Sequence, residues 1–176
     1  MEAIKAIYTR RSIRKFKKKQ INHDELHSIL KAGMYAPSAR NQQPWHFIVI
    51  KNLSIKEKIM NAHPYASMLA EAPLAILVCG DTELEKSKGY WPIDCSAATQ
   101  NMLLAAHALG IGSVWLGVHP RQERKNAIRE ICNLPSHIEP FALISLGYPR
   151  EMKETPDRWR QERVHLNMWD REVTAF

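Results

Sequence analysis

Cysteine is scarce in this chain and poorly placed for cross-linking. There are three, Cys79, Cys95 and Cys132, an odd number with no two close in sequence. That excludes a disulfide framework and predicts a reducing compartment. Cys79 ends the apolar run 74–78, which predicts a buried, inert thiol. Cys95 near the start of a helix has two readings, a thiol acidified there or one buried in packing, and burial is the expectation. No apolar stretch approaches membrane-spanning length. The first residues carry Glu2 and lack the apolar core of a secretory signal, so a cytoplasmic protein is expected. Internal repeats and low-complexity linkers are missing. So are a nucleophile-elbow pattern and the zincin pattern.

What is present is ordinary in amount and uneven in place. A chain of 176 residues, 45% apolar and 24% charged, is one globular domain able to bury its own core. The net charge of +7 favours anionic partners. Seven of the ten residues 10–19 are basic. Ile13 and Phe16 interrupt that run at a spacing of three, which favours an ordered segment over a loose nucleic-acid arm.

Periodicity predicts a short helix over 2–8, with Ile4, Ile7 and Tyr8 on one face. A better one opens at Asn22 with Glu25 as a capping box and stops before Pro37. Residues 46–51 and 74–79 read as buried strands. Ser54 with Glu57 reads as a second capping box, for a helix to about residue 61. The longest helix is expected over 94–109, apolar nearly all round and therefore central, with Gly110 and Gly112 at its end. A strand over 113–118, an amphipathic helix over 121–132 and a strand over 141–146 follow. This order predicts an α/β or α+β layer structure around one sheet. The tail from 150 is polar and arginine-rich, yet carries Trp159, Val164, Leu166 and Trp169. It wraps either its own domain or a partner chain.

Three segments could carry chemistry. Arg10, Arg11 and Arg14 surround Ser12, and forked guanidiniums with a hydroxyl suit a phosphate; a solvated basic turn is the plainer reading. Pro37, Ser38, Ala39, Arg40, Asn41, Gln42, Gln43, Pro44 and Trp45 offer the donors and acceptors that a heterocycle's edge requires; a polar loop with an aromatic anchor is the alternative. Gly110 to Gly117 places a glycine at a strand end, where a ligand can approach the backbone. It is not a dinucleotide fingerprint, because its first glycines follow a helix and precede a strand. His23 and His27, at i, i+4, have metal-ligand spacing but lack a convincing third ligand. A solvated helix face is expected there and no metal.

Taken together and in order, these stretches resemble the FMN-dependent nitroreductase family, in its compact branch. The resemblance rests on Arg10-Arg11-Ser12-Ile13-Arg14-Lys15-Phe16 and on Ala36-Pro37-Ser38 through Asn41, Gln43, Pro44, Trp45 and Phe47. It continues through Glu71-Ala72-Pro73, the long helix, Gly110 to Gly117 and Gly147-Tyr148-Pro149. It implies an α+β sandwich with a mostly antiparallel central sheet flanked by helices, forming an intertwined homodimer with FMN at the interface. It implies that Arg10, Arg11, Ser12 and Arg14 bind the phosphate and part of the ring edge. Pro37, Ser38, Ala39, Asn41 and Gln43 would reach the flavin bound by the partner. Trp115, Leu116 and Gly117 would run beside the ring, with a backbone N–H near N5. Arg158, or else Lys153, would complete the phosphate site. Residues 1–150 would form the FMN domain and 151–176 an extension wrapping the partner.

The implied activity is hydride transfer from NADH or NADPH through FMN to nitroaromatic, quinone or similar acceptors, in ping-pong fashion, with no obligatory side-chain acid or base. Reductive dehalogenation, flavin fragmentation and non-catalytic nucleic-acid binding by residues 10–19 are the alternatives.

Overall fold

The computed structural model describes residues 1–169 and 171. Four strands form one antiparallel sheet: β1 (Trp45–Ile50), β2 (Leu74–Asp81), β3 (Gly112–Gly117) and β4 (Ile138–Gly147). Their order is β1-β2-β4-β3, so β1 and β3 are the outer strands. Among the described residues five α-helices accompany them: α1 (Ala3–Thr9), α2 (His23–Met34), α3 (Leu53–Ala62), α4 (Trp91–Ala108) and α5 (Gln122–Ile131). The fold is therefore α+β rather than α/β. Among the described residues no helix is long and apolar enough to cross a membrane.

Both faces of the sheet are covered, which is why its central strands read as continuous apolar runs. Ala75, Leu77, Cys79, Leu116 and Leu143 join Ile59 of α3 and Ile128 of α5 in one cluster. Ile76, Val78, Trp115, Ile144 and Leu146 join Ile29 of α2 and the buried face of α4 in the other. Ile13 and Phe16 are buried, so the basic run is indeed an ordered segment. It lies along β3: Ser12 bridges Ser113 in parallel, and the Ile13 N–H donates to the Ser113 carbonyl at 3.0 Å. The approach is so close that a Cβ on Gly112 would come within 2.8 Å of the Ile13 side chain.

The Asn22 capping box forms as expected, with side chain and backbone exchanging hydrogen bonds with Glu25. The second expected box does not. Asn52, not Ser54, caps α3, accepting the Ile55 N–H. A side-chain oxygen two residues earlier reaches the orphan N–H first. The long helix starts at Trp91, three residues before the expected Asp94, because Pro92 suits the first turn. It ends in a Schellman arrangement: Gly110, at φ 77°, donates to His107 and Ile111 donates to Ala106.

All three cysteines are free thiols. Burial pushes Cys79 up to about 12 and raises Cys95 further still, so neither is an acidified nucleophile.

Candidate functional site

The arginine segment and the start of the tail come together beside β3. Lys153 donates to the Ser12 carbonyl at 2.7 Å, and Arg11 Nε donates to the Glu154 carbonyl at 2.9 Å. Glu151 accepts the backbone N–H groups of Arg14 and Lys15. These backbone bonds hold the Glu151 carboxyl below its ordinary range. Arg158 lies near enough to Arg10 for the two charges to interact. Burial, then Arg11, then Arg158 lower the Arg10 guanidinium's affinity for its proton. Among the described residues none of Arg10, Arg11, Arg14 and Arg158 makes an ion pair with a carboxylate. Glu151 pairs with Lys153 at 3.7 Å, but it leaves several like charges against one carboxylate, and an anion with several acceptor oxygens relieves the excess. The donor set thus fits a phosphate monoester. Both Lys153 and Arg158 are brought to the segment.

Beyond Ser113 the outer edge of β3 borders a cavity of about 360 Å³, lined by Arg14, His63, Tyr65, Trp115, Leu116 and Gly117. The Gly117 carbonyl is held by two donors, His63 Nε2 at 3.0 Å and Arg124 Nη1 at 2.9 Å. His63 Nδ1 accepts the Tyr65 N–H at 3.3 Å, so both ring nitrogens are engaged as a neutral imidazole. Burial lowers the His63 pKa first. The Gly117 bond opposes that shift and Arg124 adds to it. Arg124 also stacks over the Tyr65 ring at 5.5 Å.

The loop of 37–43 lies elsewhere. It leads directly into β1, on the opposite edge of the sheet, three strand spacings or about 14 Å from β3. Its anchor is Asp94, buried in the first turn of α4, which accepts the Ala39 N–H at 2.9 Å and the Gln42 side-chain amide at 2.6 Å. The arginine segment meets the other end of α4, where Thr9 bonds His107 at 2.8 Å. Asp94 and His107 are thirteen residues apart, about 20 Å along a helix. Arg40, Asn41 and Gln43 all have left-handed φ, 51°, 52° and 46°. Gln43 closes the loop on itself through Ser38 Oγ and the Asn41 side chain.

Of the residues expected at the site, Arg10, Arg11, Ser12, Arg14, Lys153 and Arg158 converge beside β3, with Trp115, Leu116 and Gly117 further along the same strand. Pro37, Ser38, Ala39, Asn41 and Gln43 do not join them within the chain. The sequence reading missed Asp94, His63 and Arg124. A lone carboxylate in an otherwise apolar helix was the available signal for Asp94. His63 and Arg124 gave none, because their meeting at Gly117 depends on tertiary structure.

A model of the nitroreductase family matches residues 7–63 and 61–148. A relative from Archaeoglobus fulgidus named "Putative NADH dehydrogenase/NAD(P)H nitroreductase" is 49% identical over 96% of this chain and 99% of its own. A solved structure of that same name from Parabacteroides distasonis superimposes with a TM-score of 0.91 at 37% identity, covering 95% of this chain and 98% of that one. The structure of an FMN-dependent nitroreductase from Clostridium difficile gives a TM-score of 0.83 at 34% identity, covering 94% and 99%.

Proposed function

The chain belongs to the nitroreductase family, and on that premise we propose that it is an FMN-dependent NAD(P)H oxidoreductase working by a ping-pong cycle. Its acceptors are nitroaromatics, quinones or similar organic compounds. The names of its relatives support the FMN and NAD(P)H parts of this reading. The observation that carries it in this chain is the group of guanidiniums beside β3, Arg10 with Arg11 and Arg158, which make no ion pair with a carboxylate among the described residues.

When bound, FMN would supply the two-electron redox chemistry between NAD(P)H and the acceptor. The chain's residues bind and orient it. Arg10, Arg11 and Ser12 take the phosphate, with Arg158 and Lys153 closing on it from the tail. Arg14 places positive charge at the cavity walled by Trp115, Leu116 and Gly117, where negative charge on a reduced ring would be stabilised. His63 and Arg124 fix the Gly117 peptide that forms this wall. No side-chain acid or base is assigned.

The proposed assembly is a homodimer, because the loop of 37–43 lies on the edge opposite the arginines and serves a flavin only across an interface. Residues 1–150 form the FMN domain. The extension of 151–176 first folds back on its own arginine segment and then reaches the partner. Trp159 and Trp169 remain 57% and 80% exposed, so the single chain leaves much of their surface uncovered. The end of that extension, 170 and 172–176, lies outside the described residues.

The absorption spectrum tests this reading. Purified protein is expected to be yellow and to bleach on anaerobic addition of NADH or NADPH. Colourless protein that takes up no added FMN would overturn it.

A further inference from the structure

A second polar cluster sits at the end of β2, and the oxidoreductase reading gives it no task. Asp81 closes β2 and Glu83 follows two residues later. His137 immediately precedes β4 and His46 lies on β1. One ligating atom from each of Asp81, Glu83 and His137 lies within 4.8 Å of the other two. His137 Nδ1 stands 4.0 Å from Glu83 Oε1, and His46 Nε2 stands 3.5 Å from Asp81 Oδ2.

We propose that Asp81, Glu83, His137 and His46 form a binding site for a divalent first-row transition metal ion, with zinc as the type case. The donor set is two imidazoles and two carboxylates. Imidazole nitrogen selects zinc and its neighbours over magnesium or calcium, which prefer all-oxygen sites. Four ligands about 2.0–2.1 Å from a tetrahedral ion are about 3.3 Å from one another. The His46–Asp81 separation already approaches that value. Glu83 and His137 can close their 4.0 Å gap by rotating, being 74% and 35% exposed, whereas His46 stands outside the trio whose ligating atoms lie within 4.8 Å of one another and joins as the fourth ligand by turning in from beside Asp81.

Two further observations favour a cation here. In a chain of net charge +7, neither Asp81 nor Glu83 has a lysine or arginine within 4.0 Å among the described residues; each faces only a histidine. Two carboxylates gathered at one point are drawn together by a shared cation. The backbone is also tied in place before any ion arrives. Thr82 donates to the His137 carbonyl through both its N–H and its hydroxyl, each at 3.0 Å. Asp81 Oδ1 accepts the Glu83 N–H at 2.8 Å, and the Asp81 N–H donates to the Pro44 carbonyl at 2.7 Å. Three chain segments therefore meet in a fixed frame, and an ion would join the start of β1, the end of β2 and the start of β4.

The test is zinc titration of tag-free, flavin-loaded protein by calorimetry, with thermal melting in parallel. One saturable site per chain is expected, with a melting temperature that rises with zinc concentration. His137→Ala and Glu83→Gln should each weaken binding about tenfold or more. The control is His23→Ala with His27→Ala, which removes the stacked pair on α2 whose spacing also suits a metal. Binding must survive that change. No saturable binding, binding unchanged in both His137→Ala and Glu83→Gln, or binding lost only with His23 and His27 would each overturn the proposal. Should His137→Ala not fold, exposed Glu83→Gln and His46→Ala decide the matter. Failure here leaves the flavin reading untouched, because flavin content is read independently from the spectrum.

Discussion

Asp94 Oδ2 accepts the Gln42 side-chain amide at 2.6 Å, and both residues are buried. The other half of Gln42, its Oε1, accepts the N–H groups of Lys86 and Ser87. One carboxylate in the first turn of α4 thus holds the loop of 37–43 against two neighbouring segments. It also offsets the cost of three consecutive-region residues in left-handed backbone, which runs roughly 1–3 kcal/mol each when nothing over-determines it.

Asp94→Ala should therefore release the loop. It strands the Ala39 N–H and the Gln42 amide, a penalty of about 1–3 kcal/mol for a buried donor left unmade. Urea unfolding is expected to show that loss, and flavin titration a weaker affinity. Unchanged values for both would show that the loop is held by other means.

Arg10→Ala should weaken FMN binding about 10- to 100-fold. Hydrogen bonds to charged groups are worth about 1.5–3 kcal/mol, and relief from Arg11 and Arg158 offsets part of the loss. Fluorescence titration of the apoprotein with FMN gives the number. Arg10→Lys keeps the charge but not the fork, and is expected to fall between the two. Equal affinity in all three would remove Arg10 from the phosphate site.

Much of this was legible beforehand, and the reasons differ from place to place. The central strand around Ile76 announced itself because burial on both faces leaves an apolar run, whereas β1, also read as buried on both faces, is an outer strand with His46 exposed and Phe47, Ile48 and Val49 half-buried. The Asn22 box was visible because its two partners are three residues apart. Asn52 and Ser54 both offered a capping oxygen, and sequence could not say which backbone N–H each would reach. The convergence of Lys153 on Ser12 and of Arg158 on Arg10 came from resemblance, since nothing local links such distant residues. The His63–Gly117–Arg124 contact and the placing of the loop on the β1 edge needed the strand order itself.

The pH dependence of stability follows from one buried histidine and two half-buried ones. Burial holds His63 below its ordinary pKa, and His107 and His119 are lowered for the same leading reason. Such a group binds its proton more readily when unfolded. Its stabilising contribution is complete above the unfolded value of about 6.5 and is lost as pH falls below that toward the depressed folded value. The melting temperature should therefore drop as pH is lowered through about 6.5. His63→Gln keeps a donor for the Gly117 carbonyl but cannot be protonated, so its curve should be flatter over that window. Parallel curves for variant and parent would place the titration elsewhere.

The opposite placing of the two proposed flavin-binding halves makes a sharper prediction about assembly. Arg10 lies beside β3 and Asn41 just ahead of β1, so in a dimer each pocket takes its arginines from one chain and its amide loop from the other. One variant chain carries Arg10→Ala. The second carries Asn41→Gly with Gln43→Gly, which removes both amide side chains while suiting the left-handed backbone at each position. Each variant alone should form dimers that bind FMN weakly at both sites. In the mixed dimer one pocket inherits both defects and the other inherits neither. Purified mixed dimer, isolated through two different affinity tags, should then hold one FMN per two chains with parental affinity. If each pocket belonged to a single chain, every pocket in the mixed dimer would keep one defect, and tight binding would not return. Flavin stoichiometry from absorbance, set against protein concentration, separates the two outcomes.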